Sequence, residues 1–106
     1  MQNKVSTFNK ERGCHSKPMT IPARLLDIES ELGELGKEYL KHSNYDTDTF
    51  TMSDEFKLEY GDTLYALLSL ADEVGISSDE CLDMALDKYR KRIEKNKSMG
   101  SEKEKK

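Results

Sequence analysis

The sequence predicts an all-α fold. Three segments repeat apolar residues at steps of three and four, none sustains the apolar-polar alternation of a strand, and helix-capping residues stand at the segment ends. At 106 residues the chain is one domain's worth, and with 35% apolar residues the core of a single copy is thin. Association of helices between subunits is the expected supplement.

Before Gly13 only Val5 and Phe8 are apolar anchors, so a short N-terminal helix is weakly signalled, and Gly13 to Pro22 reads as a loop. The first strong helix follows Thr20-Ile21-Pro22, where proline fits a first turn, and runs to about Lys41. Its expected buried seam is Ile21, Leu25, Ile28, Leu32, Leu35 and Tyr39. A polar loop from His42 to Thr51 leads to the second helix, which starts near Thr51 to Ser53 and continues to Val74 before Gly75. Phe56, Tyr60, Leu64, Leu67, Ala71 and Val74 form its seam, and Leu58, Leu68 and Leu70 lie outside it. In the third, Ser77 and Glu80 make a capping box, and Leu82, Ala85, Leu86, Tyr89 and Ile93 make the apolar face.

The net charge of -4 is unevenly spread: acids dominate from Asp27 to Asp87, and bases from Lys88 onward. No aromatic residue is interleaved after Tyr89, so no nucleic-acid polymer is expected as a partner. Cys14 and Cys81 lack metal or redox spacing and read as reduced thiols. With no apolar run long enough for a bilayer and no signal-peptide pattern, the expected location is cytoplasmic, without a membrane partner.

One position before the apolar residues of the first seam lie Asp27, Glu31, Glu34 and Glu38, and before those of the second lie Glu55, Glu59 and Asp62. Like charges at these spacings repel on one helix, whereas two facing stripes make an oxygen cage suited to a hard divalent cation. With about a fifth of residues acidic, roughly four acid-x-x-acid spacings arise by chance. The context is more specific: Glu31-Leu32-Gly33-Glu34 and Glu59-Tyr60-Gly61-Asp62 share acid, bulky residue, glycine, acid. Glycine inside a helix costs about 1 kcal/mol relative to alanine, so close approach of helices or of a ligand is expected at Gly33 and Gly61. A di-iron bundle needs Glu-x-x-His pairs, and neither His15 nor His42 supplies one.

These residues resemble the MazG-like nucleoside triphosphate pyrophosphohydrolases, an all-α family with Glu-Glu-x-x-Glu on one helix and Glu-x-x-Asp on the next. Glu31 and Glu34 match the last two acids of the first element, and Glu59 and Asp62 match the second. Ser30 stands where the family has its leading Glu. The resemblance runs from about Phe8 to Arg92 and implies a four-helix-bundle domain over residues 1–94, followed by a charged, disordered tail over 95–106. It further implies magnesium, with manganese as a substitute, held by Glu31, Glu34, Glu59 and Asp62, and cleavage of a nucleoside triphosphate to the monophosphate and pyrophosphate. Lys88 and Arg92 correspond to basic positions that bind substrate phosphates in the family. Phe8-Asn9-Lys10-Glu11-Arg12-Gly13 is similar to the start of the dCTP pyrophosphatase branch, but Cys14 replaces the aromatic residue that follows there.

The expected mechanism is metal-assisted attack of water on the triphosphate, with Glu31 or Glu34 accepting its proton. Homodimers or dimers of dimers are the expected functional unit. The rival reading is a non-catalytic helical module that acts by binding a protein partner.

Overall fold

A computed structural model of the chain describes residues 1–13 and 19–96, and all regular structure in them is helical. The helices are α1 (Gln2–Gly13), α2 (Ile21–Lys41), α3 (Asp54–Val74) and α4 (Ser78–Asn96). The chain forms two compact units, one spanning Met1–Gly75 and the other beginning at Ile76. The expected loop around Cys14 and His15, and the tail beyond Asn96, lie outside the described residues. No described helix is long and apolar enough to cross a membrane.

The helix ends follow the capping residues. Thr20 Oγ1 accepts the Ala23 N–H at 3.2 Å, and Ser53 Oγ accepts the Phe56 N–H at 3.0 Å. Gly75 closes α3 at φ 77°, a left-handed conformation that favours glycine, and its N–H bonds the Ala71 carbonyl. At α4 the Ser77 hydroxyl accepts the Glu80 N–H at 3.2 Å. The face of α4 read as apolar is not a buried one: Leu82, Leu86 and Ile93 are exposed, and no residue of this helix is buried.

α1 is fuller than Val5 and Phe8 alone foretell, because its hold is tertiary. Val5 is buried, Phe8 meets Tyr65 edge to face, and Asn9 bridges two side chains of α3. The Tyr65 hydroxyl donates to Asn9 Oδ1, and Asn9 Nδ2 donates to the fully buried Ser69 hydroxyl at 3.1 Å.

α2 and α3 pair in opposite directions, as their cross-contacts require. Arg24, at the start of α2, holds Glu73 at the end of α3 through two bonds of 3.2 and 2.7 Å, and also reaches Asp27 at 3.0 Å. At the opposite end Tyr39 stacks on Phe50, which meets Phe56 at 5.0 Å between ring centroids.

Half of each expected seam faces inward, Ile28, Leu35 and Tyr39 on α2 and Phe56, Leu64 and Ala71 on α3, and residues one position before most of the other half join it. On α2, Arg24, Asp27, Ile28, Glu31, Leu35, Glu38 and Tyr39 are buried or half-buried, while Ile21, Leu25 and Leu32 are exposed. On α3, Phe56, Glu59, Thr63 and Ala66 turn inward, whereas Tyr60, Leu67 and Val74 are exposed. Leu68 is buried and Leu58 exposed. The apolar core among the described residues is Val5, Ala66, Leu68 and Ala71, mostly small side chains that let the helices approach.

The segment joining α2 to α3 is a well-bonded turn. Ser43, 1% exposed, donates to the Tyr39 carbonyl at 2.8 Å and accepts the Asp46 N–H at 3.0 Å. Tyr45 N–H reaches the Leu40 carbonyl at 2.8 Å, Thr51 N–H reaches that of His42 at 3.0 Å, and the Tyr39 hydroxyl donates to Asp46. Asn44, Tyr45 and Asp46 are consecutively left-handed, at φ 49°, 57° and 69°. Asn and Asp tolerate this region; for other residues with a Cβ it costs roughly 1–2 kcal/mol, so the strain falls on Tyr45.

Arg24→Ala should destabilise the first unit by about 2–3 kcal/mol, since it leaves two carboxylates without their shared partner. Chemical denaturation followed by helical circular dichroism measures this, and Arg24→Met, which fills the space without charge, should lose less if packing contributes.

Candidate metal centre

The rotation of the two helices brings acid lines face to face. A carboxylate oxygen from each of Glu31, Glu59 and Asp62 lies within 4.8 Å of the other two. Glu31 comes from the middle of α2, and Glu59 and Asp62 lie one turn apart on α3, so the antiparallel register sets the cluster. Glu31 and Glu59 are half-buried.

Glu34, the fourth acid of the expected set, is not in this triad. Its side chain is half exposed and leans along its own helix, 3.8 Å from Lys37 Nζ. Its charge is nonetheless felt at both Glu31 and Glu59.

Desolvation pushes the Glu31 carboxyl above its ordinary range, and the charges of Asp62, Asp27, Glu59 and Glu34 add to the rise. Glu59 is raised by the same causes in the same order of kind: desolvation first, then Asp62, Glu34 and Glu38, with Lys41 opposing. Both groups hold their protons more tightly than a free carboxylate. A nearby cation is the natural remedy for such a site, and the all-oxygen donor set suits a hard divalent ion.

The stripe continues at Glu38. Its carboxylate is 14% exposed and lies 3.3 Å from Lys41 Nζ and 3.4 Å from His42 Nε2. Sequence reading placed Glu38 on the stripe but missed Lys41 as a charge acting on Glu59. The signal was present in the one-turn spacing of Glu38 with Lys41 and His42. Arg24 was missed for a related reason: it sits a turn before Ile28 on the inward line, where a buried cation demands an acidic partner.

Gly33 and Gly61 do not mark close packing. A Cβ built on either meets nothing within 4 Å, so neither the helices nor the rest of the described chain approaches them closely. The expected packing reason for these glycines is therefore absent.

No family model, curated protein or solved structure matches the chain. Its function must be argued from its own residues.

Lys88 and Arg92 lie on α4, in the second unit, one turn apart as their spacing dictates. With Lys91 and Lys95 they line one depression, in which Asp87 and Glu94 offset part of the charge. Lys91 also pairs with Asp87 at 3.1 Å. Cys81 is an exposed, free thiol.

The raised carboxyls define a pH dependence. A folded-state pKa above the unfolded value favours folding when the group is protonated, so this contribution is present at low pH and is lost as pH rises through the folded values. The window lies upward from the ordinary carboxyl value of 4.5. The metal-free double variant Glu31→Gln/Glu59→Gln should therefore be more stable than the parent at neutral pH, and the difference should vanish on acidification through that window. Thermal unfolding across pH in the presence of a chelator measures it; a constant difference at every pH contradicts the assignment.

Proposed function

We propose that the protein is a magnesium-dependent nucleoside triphosphate pyrophosphohydrolase, with manganese able to replace magnesium. The observation that carries this reading is the convergence of Glu31, Glu59 and Asp62 from two antiparallel helices, at the positions at which the sequence resembles MazG-like enzymes. Glu31 and Glu59, half-buried and holding their protons more tightly than a free carboxylate, destabilise a purely structural helix pair, and together with Asp62 they suit a cation-holding one.

A divalent ion bound there supplies charge neutralisation for the triphosphate and acidifies a coordinated water. Glu31, Glu59 and Asp62 would hold it, and Glu34, half exposed beside Lys37, would be drawn toward the cluster only once an ion offsets the charge of the other three. Glu31 or Glu34 accepts the proton of the attacking water. Lys88 and Arg92 keep the phosphate-binding role that the resemblance assigns to them.

A homodimer or dimer of dimers belongs to the same reading. Leu25 and Leu32 on α2 and Leu58 and Leu67 on α3 are each about half exposed or more, a large apolar area for so thin a core. A second copy covering these leucines completes the helical bundle through an isologous contact. A helical module that binds some other protein would use the same leucines but has no need for three facing acids.

Magnesium-dependent release of pyrophosphate, and not orthophosphate, is expected from a panel of nucleoside triphosphates. Glu59→Gln and Asp62→Asn should each lower kcat by at least about 100-fold with the helical spectrum unchanged. Release of orthophosphate alone would falsify the cleavage site, and full activity in both variants would remove the metal centre.

Light scattering at low micromolar concentration should give the mass of two or four chains, and Leu32→Glu should shift it toward one. A fully active parent with the mass of a single chain rules the assembly out.

A further inference from the structure

The charges of α4 are divided along its length. From Ser78 to Asp87 the helix carries Asp79, Glu80, Asp83 and Asp87 and no base, whereas from Lys88 to Asn96 it carries Lys88, Arg90, Lys91, Arg92 and Lys95 against one acid, Glu94. Acids early and bases late suit a helix's own dipole, but that effect fades beyond the first and last turns, and Asp83, Asp87, Lys88 and Arg90 lie in the middle. Asp83 stands among its own kind. Within a turn of it are Asp79, Glu80 and Asp87, which repel it, and among the described residues it has no ion-pair partner. Arg90 likewise pairs there with neither Glu94 nor Asp87, which Lys91 holds at 3.1 Å.

A row of apolar side chains runs beside these two charges. Leu82, Leu86, Tyr89 and Ile93 follow one another at steps of four, three and four, the spacing of a coiled-coil seam; Leu82, Leu86 and Ile93 are exposed, and Tyr89 is half-buried. Asp83 and Arg90 each stand one residue after a member of the seam and seven residues apart, so they flank it on the same side. Lys88, Lys91 and Lys95, which line the depression on α4, fall outside both flanks.

A second α4 running the opposite way matches both patterns. About a two-fold axis through the middle of the seam, Leu82 meets Ile93 of the second copy, Leu86 meets its Tyr89, and the acidic half of each helix lies along the basic half of the other. Equal flanks meet in this orientation, so Asp83 of either copy faces Arg90 of the other. A parallel pair lays acids on acids and bases on bases, and a partner without this division of charge leaves Asp83 among its repelling neighbours.

We propose that the Leu82–Leu86–Tyr89–Ile93 face of α4 pairs antiparallel with the same face of a second copy, in the register that sets Asp83 beside Arg90 of that copy. The contact uses none of the leucines of α2 and α3 and does not depend on the hydrolase reading. A helix of 19 residues is about 28 Å long. Pairing over that length buries less than the roughly 800 Å² per partner of a standard interface, so association is expected to depend on concentration.

Sedimentation equilibrium of the full chain tests it, in a Leu32→Glu background that removes the contact through α2 and α3. Dimers should form as the concentration rises toward about 1 mM. Asp83→Arg and Arg90→Asp should each weaken them about tenfold, because either change turns both cross-pairs into repulsions. An equimolar mixture of the two variants, and the double variant Asp83→Arg/Arg90→Asp, should associate like the Leu32→Glu parent, since opposite charges meet again. Asp83→Arg places a base among Asp79, Glu80 and Asp87 and should leave helical circular dichroism undiminished, which separates lost association from lost folding. Monomers at every concentration, dimers indifferent to the single reversals, or a mixture and double variant no tighter than the single variants each overturn the antiparallel pairing. Pyrophosphate release and the effect of Leu32→Glu on the parent's mass are read separately, so either proposal can fail alone.

Discussion

Facing carboxylates on α2 and α3 are the constraint around which the first unit is arranged. Glu31, Glu59 and Asp62 repel one another at the middle of the helix pair, and the pair must be held at both ends for that contact to persist. At one end Arg24, almost fully buried, spans the gap to Glu73 and also neutralises Asp27. At the other, Tyr39, Phe50 and Phe56 form an aromatic plug that needs no charge. Opposite charges therefore close one end of the pair, aromatic rings close the other, and like charges sit between them. A helix pair optimised for stability alone would place leucine at the position of Glu31.

The helices and most of their boundaries were legible in the sequence because they rest on local chemistry. Thr20, Ser53, Ser77 and Gly75 act within a turn of their own position; Ser77 and Gly75 cap where expected, and Thr20 and Ser53 cap at the helix starts that the sequence marked only approximately. The rotation of the helices was not legible in the same way. Periodicity placed Ile28, Leu35, Tyr39, Phe56, Leu64 and Ala71 inward, as they are, but also Leu25, Leu32, Tyr60 and Leu67, where the residue one position earlier is the less exposed one. A hydrophobic pattern tells which residues avoid water, not which neighbour covers them, and two apolar-edged faces on one helix are ambiguous in a single chain. The acid stripe was visible, but its placement inside the pair depended on Arg24 and Glu73, which are far apart in sequence.

Glu34 shows the limit of motif reading at the level of one side chain. Its spacing from Glu31 is that of a ligand pair, yet its carboxylate sits beside Lys37 and outside the triad, because an exposed acid with a local cation gains nothing by joining three other acids. Glu38 shows the reverse. Outside the matched motif, it is nonetheless the less exposed of the two, since Lys41 and His42 balance its charge where α2 ends.

A thin core and a repelling centre together leave the first unit little stability to spare. The buried apolar set Val5, Ala66, Leu68 and Ala71 is small for a chain of this length, so each destabilising contact takes a large share of the net stability. Anything that binds only the folded state raises stability by mass action. A cation among Glu31, Glu59 and Asp62 would do so by removing repulsion, and the proposed second copy on Leu25, Leu32, Leu58 and Leu67 would do so by removing apolar surface from water. At the cluster itself the acid line and the apolar line part: Glu31 and Glu59 are half-buried, whereas Leu32 and Tyr60, one residue on, are exposed. The helix rotation that brings Glu31, Glu59 and Asp62 together thus also leaves Leu25, Leu32, Leu58 and Leu67 exposed.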